Sequence, residues 1–73
     1  PSTTIKFGLP ADSQVKINIF NSIGEKVAEL INSKMTAGYH TVNFDASNLT
    51  SGIYFYQIKA DNFESIKKMM LIK

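Results

Sequence analysis

The chain has 73 residues, 44% of them hydrophobic, no cysteine, and a formal net charge of +2 in which lysine is the only strong base. That length bounds it to one domain with a small core, and the absence of cysteine removes disulfides and thiolate metal sites. A charge this weak, without arginine, argues against a nucleic-acid binder, and no apolar run approaches the roughly 18 residues of a membrane-spanning helix.

Alternation of period two dominates the chain. In Thr3–Leu9 the residues Ile5, Phe7 and Leu9 fall on one face, and Pro10 ends the run because it has no N–H for a ladder. Ala11-Asp12-Ser13 reads as a turn. Gln14–Phe20 alternates again, with Val15, Ile17 and Ile19 inward and Lys16 and Asn18 outward. Asn21-Ser22-Ile23-Gly24 reads as a second turn, with Gly24 expected at positive φ. Glu25–Ile31 is ambiguous, since Val27, Ala28, Leu30 and Ile31 could line a helix face. Its shortness and its strand-like neighbours favour a strand.

Asn32–Tyr39 is expected to be a loop with a short extended piece around Met35. His40–Phe44 reads as a strand with Val42 and Phe44 inward, and Ala46–Ser51 as its connection to a strand over Ile53–Ala60. There Tyr54, Tyr56 and Ile58 share one face, and Ile53, Phe55, Gln57 and Lys59 the other. Asp61-Asn62-Phe63-Glu64 reads as a hairpin turn and Ser65–Ile72 as the last strand. About seven short strands with no intervening helix predict an all-β fold: a small, antiparallel, Ig-like β-sandwich.

No acid–base or nucleophile pair stands out, so an enzyme is not expected, nor any cofactor or metal. His40 is the sole histidine and lacks a ligand cluster, so a structural role is favoured. Asp45 is better placed to cap a turn than to act as a base, and Ser51-Gly52 to set a tight turn. Tyr54 and Tyr56 could stack on a sugar, but core packing with hydroxyls at its edge explains them better. Asn48-Leu49-Thr50 matches a glycosylation acceptor, a motif common by chance. The final Lys67-Lys68-Met69-Met70-Leu71-Ile72-Lys73 is an apolar strand bracketed by lysines. It reads as a lysine-guarded edge and as an extended tag suited to recognition by strand addition.

An ordered set of pieces carries a family resemblance. Pro1–Phe7, the run Val15–Val27 around Gly24, the block Ala37-Gly38-Tyr39-His40 with Phe44-Asp45, Leu49 and Ser51-Gly52-Ile53-Tyr54, and Lys68-Met69-Met70 near a terminal lysine all take part. Together they resemble the type A C-terminal sorting domain of the bacterial type IX (Por) secretion system. The chain is also similar to the Ig-like domain of the flagellar hook-capping protein. Phe44 stands where the family often has tryptophan, and the ending uses lysine where arginine is also common.

The resemblance implies a non-enzymatic module at the end of exported cargo in Bacteroidota-like bacteria. The cargo would reach the periplasm by its own signal peptide and then cross the outer membrane. A sortase-like protease would then cleave the module and attach the cargo to the cell surface. Its partners would be that secretion and sortase-like machinery and an upstream cargo domain, and the isolated domain would be a monomer. The chain begins at Pro1 without Met, so it is read as a single domain, residues 1–73, that is a fragment of a larger exported protein. The expected recognition residues are Lys67, Lys68, Met70, Ile72 and Lys73; the expected turn and fold signature is Gly24, Gly38, Asp45, Gly52 and Tyr54. The competing readings are an accessory carbohydrate-binding or spacer module, with Tyr39, Phe55 and Phe63 as contacts, and a self-assembling surface subunit.

Overall fold

A computed structural model describes residues 2–61 and 63–72. Six strands follow one another: β1 (Ser2–Leu9), β2 (Ser13–Asn21), β3 (Lys26–Met35), β4 (Gly38–Asp45), β5 (Gly52–Ala60) and β6 (Phe63–Leu71). They form two antiparallel sheets, one of β1 and β4, the other in the order β3-β2-β5-β6. The sheets close over one core of Ile5, Leu9, Val15, Ile17, Ile19, Phe44, Ala46, Tyr54, Ile58 and Leu71. The all-β sandwich read from the sequence is therefore the fold.

Among the described residues the strands number six, not about seven, and β3 explains the difference. The expected loop over Asn32–Tyr39 is absent: β3 continues unbroken to Met35, and β4 begins at Gly38. In β3 the pairing steps from Ile17↔Ile31 to Asn18↔Glu29, and then from Ile19↔Ala28 to Phe20↔Lys26. Leu30 and Val27 are thus extra residues at two bulges. A bulge breaks strict alternation, so Leu30 and Ile31, adjacent in sequence, are both half-buried. This is why the run mimicked a helix face.

The hairpin between β2 and β3 is specified by one side chain. Asn21 Oδ1 accepts the N–H groups of Ile23 (3.1 Å) and Glu25 (2.9 Å), while Asn21 Nδ2 donates to Glu25 Oε1 at 2.9 Å. The Gly24 N–H donates to Asn21 O at 3.1 Å, closing a β-turn. Gly24 follows at φ 88°, where a Cβ would add strain.

Three connections cross between the sheets: β1–β2, β3–β4 and β4–β5. Two are tied together, since the Ala37 N–H donates to Asp12 Oδ1 at 2.8 Å. In the third, Ala46 is fully buried and the Ser47 N–H donates to Asp45 Oδ1 at 3.0 Å. Each crossing thus has a polar anchor, shared in the first two, as turns bridging two layers require.

A candidate recognition edge on the last strand

β6 pairs with β5 over nine consecutive residues without a register shift, from Gly52↔Leu71 to Ala60↔Phe63. The strand therefore starts at Phe63, not Ser65, and Phe63 and Glu64 belong to the ladder, not to the turn. Among the described residues its other side has no neighbour in the sheet order. Backbone N–H and C=O groups of alternate residues consequently point away from the domain along this edge.

The register sorts the side chains. Ser65, Lys67, Met69 and Leu71 lie opposite Ile58, Tyr56, Tyr54 and Gly52 and follow the inward parity. Leu71 is in the core and Met69 packs against it. Glu64, Ile66, Lys68 and Met70 face outward, and Ile66 and Met70 are 60% and 67% exposed. Lys68 and Met70 of the expected recognition set therefore share a face, while Lys67 points to the other side. Ile72 lies just beyond the strand and is exposed. Lys73 lies outside the described residues, as do Pro1 and the Asn62 of the expected turn.

Ile66 was not singled out from the sequence, yet it sits between Glu64 and Lys68 on the outward face. Extending the alternation of Lys68 and Met70 back to Phe63 would have found it. Across the same face, Phe20↔Phe55↔Lys68 and Asn18↔Gln57↔Ile66 form successive rows. Gln57 Nε2 donates to Glu64 Oε2. Asn18 is only 8% exposed and its Oδ1 accepts no hydrogen bond.

The remaining candidates have structural settings. Tyr54 is 6% exposed and donates its hydroxyl proton to Thr50 O at 2.8 Å. It bonds back to the chain four residues upstream, the device that secures strand crossings in Ig-type sandwiches. No sugar can stack on it there. Gly38 (φ 120°) opens β4 and Gly52 opens β5. His40 lies on the inward side of β4, paired with Phe7 at a ring separation of 5.5 Å, and its Nε2 is 2.7 Å from Thr36 O. That contact with a carbonyl makes Nε2 the donor.

Tyr39 is 95% exposed on the outer face of the two-stranded sheet. Its ring lies over Gly8, where an added Cβ would meet it at 3.1 Å. Phe55 lies on the outer face of the other sheet, and Phe63 takes the inward parity at the start of β6. The three aromatics of the carbohydrate reading thus lie on three separate surfaces and form no common platform.

No group of three or more His, Asp or Glu side chains among the described residues could hold a metal ion. Among the described residues no helix is long and apolar enough to cross a membrane.

Comparison with known proteins adds one finding. The model of a protein family, the secretion system C-terminal sorting domain, matches residues 2–73. No curated protein and no solved structure matches the chain.

Proposed function

The chain belongs to the family of secretion system C-terminal sorting domains, signals for type IX secretion, and on that premise we propose that it serves as the ligand of the export machinery rather than as a catalyst. A signal of this class directs its protein to the outer membrane, the cell surface or the medium. The observation that carries the reading is the family match over residues 2–73.

Within that function, the proposed point of recognition is β6. It is a regular edge of nine residues, free of proline, glycine and bulges. An export component would add a strand to it through main-chain hydrogen bonds and read the outward Ile66, Lys68 and Met70 by contact. Ile72 and Lys73 would extend the contact past the strand. Lys67 fits the role of a solubilising guard on the inner side.

The proposed route follows the family pattern. Cargo lies upstream in the same chain, reaches the periplasm by its own signal peptide and crosses the outer membrane under direction of this module. Removal of the module by a sortase-like protease and attachment of the cargo to the surface would complete the route.

Fusion of the chain behind a periplasmic reporter, in a bacterium with type IX secretion, tests the assignment. The reporter is expected at the surface or in the medium with the fusion and in the periplasm without it. Retention of the fused reporter in the periplasm would count against the proposal. Truncating Lys67–Lys73 is a poor test of recognition, because it also removes the core residue Leu71.

A further inference from the structure

The β6 edge is complementary to itself. We infer that two copies of this chain pair their β6 strands antiparallel about a two-fold axis at Ile66, joining the two four-stranded sheets into one. The inference does not depend on recognition by the export machinery, although both would use the same edge.

The argument starts from the backbone. On a free edge, alternate residues carry the available N–H and C=O groups. In an antiparallel pair of identical strands, residues of the same parity must therefore face one another, which leaves few registers. Centred on Lys67 or Lys68, the axis brings two copies of one lysine together, an unfavourable arrangement. Centred on Ser65, it places Glu64 against Ile66 and leaves the charge without a partner.

Centred on Ile66, Glu64 of each copy lies opposite Lys68 of the other. Ile66 meets Ile66 and Phe63 meets Met69. Glu64, Ile66 and Lys68 all lie on the outward face, so both charge pairs and the apolar contact form side by side. Lys68 has no ion-pair partner among the described residues, and Ile66 and Met70 are the most exposed large hydrophobic side chains of the strand.

The other edges lack this property. β3 is distorted by two bulges and its Lys26 is engaged with Glu29 at 3.5 Å. β1 carries one lysine, Lys6, and no carboxylate, whereas β4 carries one carboxylate, Asp45, and no lysine. Neither can match itself charge for charge. An isologous contact closes at two copies, so the product is a dimer and not a filament. A single-strand contact is small, so association is weak, with a monomer at about 10 μM and a dimer emerging towards 1 mM. In the dimer the edge offered to the export machinery is covered, so pairing and recognition exclude one another.

Sedimentation velocity on the purified chain tests the register. Glu64→Lys and Lys68→Glu each turn two opposite-charge pairs into two like-charge pairs. Each is expected to weaken self-association about tenfold to thirtyfold. Mixing the two variants restores both pairs, because one copy then carries lysine and the other glutamate at both positions. The mixture is expected to form a heterodimer at concentrations where each variant alone stays monomeric, and 0.5 M salt should weaken it. Circular dichroism confirms that each variant keeps the strand spectrum. A wild-type chain that remains monomeric at 1 mM overturns the inference. So does a dimer insensitive to either substitution, or a mixture that associates no better than its components.

Discussion

Removing the hydroxyl of Tyr54 isolates one bond whose contribution can be worked out from its setting. The ring is in the core, 6% exposed, and its hydroxyl donates to Thr50 O at 2.8 Å, with Thr50 Oγ1 3.4 Å from the Tyr54 hydroxyl oxygen. Tyr54→Phe keeps the ring and its packing but leaves a partly buried carbonyl without its donor. A net hydrogen bond is worth about 0.5–1.5 kcal/mol, and an orphaned acceptor costs about 1–3 kcal/mol. Partial access of water to Thr50 places the expected loss at about 1–2 kcal/mol. A domain of this size holds only about 3–5 kcal/mol in reserve, so about a fifth or more of its stability rests on one oxygen. Urea unfolding followed by far-ultraviolet circular dichroism should show the midpoint falling by about 1 M at unchanged slope. Thermal unfolding should shift down by roughly 5–10 °C. Tyr56→Phe is the control, because the Tyr56 hydroxyl has no hydrogen-bond partner among the described residues, and its midpoint should not move. Equal midpoints for Tyr54→Phe and wild type would refute the account of the β4–β5 crossing as a strapped corner.

Ile17 is fully buried at the centre of β2, and Ile17→Ala should cost about 2–5 kcal/mol, enough to leave the domain largely unfolded at 37 °C by circular dichroism. Gly24→Ala places a Cβ at φ 88° in open space, so strain alone acts, and a loss of about 1 kcal/mol is expected in the same urea titration. Asp12→Ala removes the acceptor of the Ala37 N–H. It should raise amide exchange at Ala37 by an order of magnitude or more while leaving core amides of β2 unchanged.

What the sequence disclosed depended on how regular each strand is. β1, β2 and β5 carry no extra residue, so their inward residues could be read directly, and Ile17, Ile19, Tyr54 and Ile58 all lie in the core; Asn18, read as outward, is nevertheless buried. β3 resisted because its bulges at Val27 and Leu30 set apolar residues side by side. No periodic template marks a bulge, since the extra residue is defined only by the partner strand. Asn32–Lys34 looked like loop because all three side chains are exposed; their pairing with Val15, Lys16 and Gln14 leaves no signature in composition. The same limit applied to the recognition residues. A cluster of lysines and methionines was visible at the end of the chain, but its division between two faces came from the β5–β6 register. That register separated Lys67 from Lys68 and added Ile66.

The central claim is that this module is read by the type IX machinery at the outward face of β6. The direct measurement is the fraction of a reporter reaching the cell surface or medium when fused to the wild-type chain and to Ile66→Ser/Lys68→Glu/Met70→Asp. These three side chains are outside the core, so the variant should fold, which protease resistance of the purified module confirms. Recognition at β6 predicts that the folded variant leaves the reporter in the periplasm while the wild-type fusion exports it. Undiminished export of the folded variant would contradict it.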